Sequence, residues 1–389
     1  MTPSPMTPDP GGAAPPGVYL HIGLFKSGTS FIQSVLGRNR DRLLRDGVLF
    51  PTGGGRWSAQ VRAARDVLGI KHHNPSDGAW DELVTMIHQS SARTAVVSME
   101  FLSLATPDAA RRIVADLGPR QVDVIVTARD LVRVLPSAWQ SMVKQGRDWP
   151  FAEFAEAVTA DPALHDASRR FWHHHDVVAI VDRWLDIVGP DRLHLVTVPP
   201  SGAPPSLLWE RFASVIGVDP DGYDITQDRN SNFSLSYSDT ELLRQVNRAL
   251  RTGMSRKAQK RYSTRYLSNR VLRAASAEAT SADRPTVDAT TYAWAVERSA
   301  EMIARLGRPG VRVVGSLDEL RPAPAADAVG TADPAQAYPE RIAEIIAALL
   351  KRLAALDPSM PDAGGGDRGT DEDDDGLPDQ AEPDTRAGS

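Results

Sequence analysis

The stretch "VYLHIGLFKSGTSFIQSVLGRNRDRLLRD", residues 18–46, decides the fold. "VYLHIG" (18–23) reads as a buried strand. From Thr29 onward the apolar residues Phe31, Ile32, Val35, Leu36, Leu43 and Leu44 recur with helical spacing. Between strand and helix sit Lys26, Ser27, Gly28, Thr29 and Ser30. The first N–H groups of a helix have no partners within it, and its dipole favours negative charge there. Gly28 lets the backbone approach an oxyanion, the hydroxyls add donors and Lys26 adds charge, so this turn is expected to bind an anion.

The same alternation continues outward. Short apolar runs at 47–51, 94–100, 122–129, 192–199 and 311–315 read as strands. Helical patterns fall at 58–69, 78–90, 107–117, 131–146, 206–218 and in the second half of 171–189. Pro136 is expected to bend or restart its helix. Strands alternating with helices imply an α/β fold: a parallel sheet covered by helices on both faces, a three-layer sandwich with helical elaborations beyond residue 220. Right-handed crossovers place the strands' carboxyl ends along one rim. Lys26, Glu100 and Arg129 each follow a strand and should meet there.

Composition bounds the rest. The 389 residues are 41% hydrophobic and 24% charged, as in a soluble globular protein, and contain no cysteine. That excludes disulfides, thiolate metal sites and a cysteine nucleophile. No window suggests a membrane span or a secretory signal, so a cytoplasmic protein is expected. The total charge is −6, but residues 357–389 hold eleven Asp/Glu against two Arg, a local −9 that leaves the remaining chain at +3. The expected organisation is a disordered Pro/Gly leader (1–16), one α/β domain (17–321), a low-complexity linker (322–337), an amphipathic helix (338–356) and an acidic disordered tail (357–389).

The loop does not match the ATP-binding pattern G-x-x-x-x-G-K-[ST], because Lys26 lies two places before Gly28 rather than after a second glycine. A P-loop kinase or phosphotransferase, or a non-catalytic nucleotide-binding protein, stays open as an alternative. "FKSGTS" (25–30) resembles the 5′-phosphosulfate loop, P-K-[ST]-G-T-[TS], of sulfotransferases that use 3′-phosphoadenosine 5′-phosphosulfate, with Phe25 replacing the usual proline. "TARDLVRVLPSAWQ" (127–140) is similar to the family's second motif, an Arg at a strand end and a Ser eight residues on, here Arg129 and Ser137. "VDRWLDIVGPDRLHLVTV" (181–198), "WERFASVIGVDP" (209–220) and "RVVGSLDEL" (312–320) resemble the later core of bacterial members.

The resemblance implies a P-loop-containing, sulfotransferase-like domain that moves a sulfuryl group from this co-substrate to a hydroxyl or amine of a small-molecule, carbohydrate or lipid acceptor. It assigns Lys26, Ser27, Gly28, Thr29 and Ser30 to the 5′-phosphosulfate, Phe31 to the neighbourhood of the adenine, and Arg129 and Ser137 to the 3′-phosphate. Lys26 would also neutralise the leaving group, and the expected chemistry needs no metal. Many members carry a histidine base on the strand after the first loop; here that strand ends in Glu100, which becomes the candidate base. His72 and His73 lie on a loop that could line the acceptor cleft, and His21, inside the first strand, reads as a buried structural histidine. "WHHHD" (172–176) is not expected to bind metal, since three adjacent histidines cannot all face one ion from a regular helix or strand. The basic stretch 247–273 reads as a solvated helix face rather than a nucleic-acid grip. The polar segment 227–236 could supply late contacts or a lid.

Overall fold

A computed structural model describes residues 17–52, 58–70, 76–118, 120–160, 162–226, 237–255 and 286–324, together with Leu235, Ala258, Gln259, Tyr262, Leu267 and Ile342. The leader, the acidic tail and nearly all of the linker and of the 338–356 segment lie outside these residues, as do His72, His73, the 227–234 stretch and most of 256–285.

The six apolar runs become six strands: β1 (Gly17–Gly23), β2 (Val48–Leu49), β3 (Thr94–Ser98), β4 (Gln121–Ala128), β5 (Leu193–Thr197) and β6 (Val311–Val314). They pair in the order β2-β3-β1-β4-β5-β6, every pair parallel. β3 and β5 are buried at every position, as strands covered on both faces must be. The fold is the expected α/β sheet flanked by helices.

β1 shows how the two faces divide. Val18, Leu20 and Ile22 enter a large core that also takes Leu135, Trp139, Val181 and Trp184. Alternate side chains point the other way, where Phe31, Ile32, Val35 and Leu36 pack against Trp209 and Phe212. The helices supplying these layers are α1 (Thr29–Arg38), α2 (Arg40–Arg45), α3 (Ser58–Val67), α4 (Ala79–Gln89), α5 (Pro107–Asp116), α6 (Leu131–Lys144), α7 (Phe151–Thr159), α8 (Asp166–His175), α9 (Val177–Val188), α10 (Leu207–Ile216), α11 (Tyr237–Leu250) and α12 (Ala289–Leu306). Among the described residues no helix is long and apolar enough to cross a membrane.

Two local expectations change. α6 runs unbroken through Pro136, so the proline neither ends nor restarts it; nine buried side chains hold the helix in place. "FWHHH" is helical as well, forming the end of α8, and the chain breaks only at Asp176, whose carboxylate accepts from the Ala179 N–H to start α9.

β1 sits centrally, with β3 and β4 on its flanks, so the segments leaving these three strands emerge side by side. Their closeness shows at Gly23, which has φ +70° and where a Cβ would come within 2.9 Å of both Glu100 Cβ and Thr29 Oγ1. Replacing Gly23 with alanine should therefore cost about 2 kcal/mol or more of stability, through left-handed strain and displacement of Glu100. Denaturant unfolding of Gly23→Ala checks this; an unchanged midpoint would mean the strand ends are not so tightly apposed.

Candidate functional site

The loop after β1 is shaped by its own side chains. The register between β1 and β4 slips between His21 and Gly23, and the Leu24 N–H then donates to the Thr127 carbonyl at 2.8 Å. Ser27 folds back beneath the turn: its hydroxyl donates to the Leu24 carbonyl at 2.5 Å and accepts from the Leu24 N–H at 3.0 Å. Thr29 Oγ1 donates to the same carbonyl at 3.1 Å.

The Ser27 hydroxyl also lies 2.6 Å from Thr127 Oγ1, which is 3.3 Å from His21 Nε2, while His21 Nδ1 is 2.7 Å from Ser98 Oγ. Because Ser27 gives its one proton to Leu24, Thr127 must donate to Ser27, and His21 Nε2–H to Thr127. That leaves Nδ1 to accept from Ser98. A single tautomer satisfies this buried chain across β3, β1, β4 and the loop. His21 is fully buried, and desolvation lowers its pKa to about 3, so the ring stays neutral. It is the structural histidine expected from its place in the strand.

The upper face of the turn is different. Lys26 has φ +61° and Gly28 φ +85°, an alternation that curves successive N–H groups into a concave nest. Among the described residues, no acceptor engages the backbone N–H groups of residues 25–31, and the first regular bond is Ile32 N–H to the Gly28 carbonyl at 3.2 Å. Ser30 is half-buried, whereas the Ser27 hydroxyl is committed below.

Glu100 opens a 3-10 helix (Glu100–Leu104) directly after β3, and its carboxylate accepts from Gln33 Nε2 at 3.1 Å. Gln33 also donates to the Ser98 carbonyl at 3.0 Å, tying α1 to the end of β3. Arg129, half-buried, follows β4. Its neighbour Asp130 caps α6 through the Arg133 N–H and pairs with the Arg133 guanidinium. Ser137 lies one turn further along α6, its hydroxyl donating to the Arg133 carbonyl at 3.2 Å. Phe31 is 6% exposed, its ring in the core between α1 and α10 rather than on the rim.

Phe25, where the resembling motif has proline, is buried edge-on against Phe101 (5.8 Å between centroids) and His174 (4.8 Å). A cavity of about 10 Å³, the space of one water molecule, lies beneath the loop, lined by Phe25, Ser27, Arg129, His175, Val177 and Met302 among others. His175 thus joins the site. Its place on α8 was hidden because three histidines blur the apolar periodicity that would orient them. Burial lowers the pKa of His174 to about 4 and that of His175 well below the ordinary value; for His175 the charges of His174 and Lys26 act in the same direction. No cluster that could hold a metal occurs among the described residues. A roomier groove of about 590 Å³, lined by Tyr19, Asp123, His194 and Arg312, contains none of the expected site residues.

Comparison with known proteins adds little. No protein-family model and no curated protein matches the chain. A solved sulfotransferase from Alicyclobacillus acidocaldarius is similar to it at 16% identity over 55% of this chain and 86% of that one, with a TM-score of 0.37.

Two predictions follow from the buried polar groups. Ser27→Ala would leave the Thr127 hydroxyl proton without its acceptor and the Leu24 carbonyl with the Thr29 bond alone, and should lower stability by about 1–3 kcal/mol in denaturant unfolding. Retention of full stability would mean the clasp is dispensable. His21 and His174 bind a proton more weakly folded than unfolded, so their neutral burial is unopposed above about pH 6.5. Stability should then fall as pH drops toward 4 and 3, by up to about 1.4 kcal/mol per pH unit for each ring. His174→Gln should flatten that slope in unfolding curves taken across the range.

Proposed function

We propose that the protein is a sulfotransferase that takes a sulfuryl group from 3′-phosphoadenosine 5′-phosphosulfate and passes it to a hydroxyl or amine of a small-molecule, carbohydrate or lipid acceptor. One observation carries this reading: seven consecutive backbone N–H groups, at residues 25–31, lack acceptors beside Lys26, one strand away from Arg129. A concave run of donors with a lysine fits a 5′-phosphate, and a guanidinium on the adjacent strand end fits a second phosphate. The resemblance of "FKSGTS" and of the Arg129–Ser137 pair to the family's two motifs supports the same ligand.

In this reading the backbone amides of Ser27, Gly28, Thr29, Ser30 and Phe31 hold the 5′-phosphosulfate, Ser27 and Phe31 taking part through their N–H groups alone. Ser30 adds its hydroxyl. Arg129 holds the 3′-phosphate, and Ser137 joins it by turning its hydroxyl away from the Arg133 carbonyl. Glu100 takes the proton of the acceptor as that atom bonds to sulfur. The bond between sulfur and the bridging oxygen breaks, its electron pair stays on the departing phosphate, and Lys26 stabilises that charge. Left-handed backbone at a lysine costs on the order of 1 kcal/mol, which fits a residue held for its charge.

The test is thermal stabilisation by adenosine 3′,5′-bisphosphate, adenosine 5′-monophosphate and ATP. The bisphosphate should stabilise most, and Arg129→Ala should erase its advantage over the monophosphate. Lys26→Ala should slow transfer to an accepted substrate by about a hundredfold or more, beyond its effect on binding. Glu100→Gln should abolish transfer while sparing bisphosphate binding. A preference for ATP, or no response to the bisphosphate, overturns the proposal.

A further inference from the structure

The groove of about 590 Å³ lies at the amino ends of the strands, away from the anion-binding loop. Tyr19 is the third residue of β1, Asp123 the third of β4, His194 the second of β5 and Arg312 the second of β6. The strand register sets Tyr19 beside Asp123, His194 beside Arg312, and Ile125, two residues after Asp123, beside His194. All four side chains therefore leave one face of the sheet, the face covered by α1 and α10. Two residues further along the same strands, Ile125, Val196 and Val314 make that face apolar and pack in the core with Phe212 and Val215 of α10. Apolar residues would serve the fold equally well one step earlier. Instead a polar row crosses four adjacent strands and lines open space.

The buried part of the row is already ordered. Asp123 and His194 are each 8% exposed. Asp123 Oδ1 lies 3.2 Å from His194 Nε2, and Oδ2 accepts from Gln121 Nε2 at 3.0 Å. The carboxylate fixes a proton on Nε2, which leaves Nδ1 of the neutral ring as an acceptor. Among the described residues Nδ1 has no partner, and the Tyr19 hydroxyl and the Arg192 and Arg312 guanidiniums make no hydrogen bond. Arg312 Nε comes only within 3.7 Å of Asp191 Oδ1. All of these polar ends are open to solvent. The charges facing the row are Asp123 and Asp191 against Arg192, Arg312 and, beside Tyr19, Arg93, an excess of one positive charge.

We propose that this groove binds a small carboxylic acid that carries a hydroxyl next to its carboxylate, the hydroxyl donating to His194 Nδ1 and the carboxylate meeting Arg312 and Arg192. Paired strands lie about 4.8 Å apart, so the acceptor and the cation of His194 and Arg312 can meet on one small molecule. The volume falls in the range of small-ligand sites. Tyr19 stands edge-on to His194, with ring centroids 6.3 Å apart, and forms a wall with a further hydroxyl donor. A carboxylate without a hydroxyl would leave Nδ1 unpaired, and a neutral polyol would leave the guanidiniums unpaired. One excess positive charge suits a monoanion. The site is independent of the loop after β1 and stands whatever that loop binds.

Lactate is the probe, with propionate lacking its hydroxyl and lactamide lacking its charge, titrated against the full chain by ligand-observed NMR. Lactate should bind about tenfold or more tightly than either. Arg312→Gln should weaken lactate about tenfold and leave lactamide unchanged; Arg312 is an exposed side chain, so this variant keeps its fold. His194→Phe should bring lactate down to the level of propionate. Lactate affinity should survive Lys26→Ala, because Lys26 lies at the opposite end of β1. Absence of lactate binding, equal binding of propionate, or an Arg312→Gln variant that binds lactate as the natural chain does would overturn the proposal. Loss of lactate binding in Lys26→Ala would place the carboxylate in the loop and overturn it as well.

Discussion

The candidate site depends on one hydroxyl. Ser27 closes the turn after β1 by bonding both backbone groups of Leu24, and Thr127 and His21 hold that hydroxyl from below. A loop of this length would otherwise satisfy its polar groups inwardly, amide to carbonyl. Here a side chain does so, leaving the amides of the upper face unengaged. The buried chain reaches Ser98 at the end of β3, so the loop's shape and the spacing of three strand ends are set together. Because each hydroxyl and ring nitrogen in it has a single consistent direction, loosening one member would disturb the rest.

Most of the architecture was legible because parallel strands buried on both faces leave unbroken apolar runs, and all six were short and bounded by turns. The meeting of the Lys26, Glu100 and Arg129 segments followed from strand order alone. The direction of individual side chains was harder. Phe31 belongs to the same helical face as Ile32, Val35 and Leu36, and that periodicity already consigned its ring to the core; the family resemblance pointed instead toward the adenine. Ser27 could be read as a ligand or as a clasp from sequence, since a serine in a phosphate loop has both options. Only the close approach of Thr127 decides between them.

Phe25 illustrates two ways to hold the same backbone. A proline would restrict the turn covalently, through its fixed φ. Phe25 restricts it by burial, lodging its ring between Phe101 after β3 and His174 on α8. The consequence is a tie between the loop and α8 that a proline would not make, and it is this tie that brings the histidine helix under the site. Neither Phe25 nor the triple histidine made sense from the sequence taken singly; packed together, they form one wall.

Gly28 and Lys26 carry different kinds of information. A Cβ at Gly28 would approach Leu208 Cδ2 of α10 to 2.6 Å, so a side chain there would have to displace Leu208 as well as adopt the left-handed backbone at φ +85° that favours glycine. A descendant of this chain could lose its chemistry and still be obliged to keep Gly28. Nothing comparable protects a lysine in a left-handed conformation, which an asparagine or glycine would adopt more comfortably. Across divergent copies of this fold, the glycine would therefore record ancestry, and the lysine would record whether an anion is still being handled.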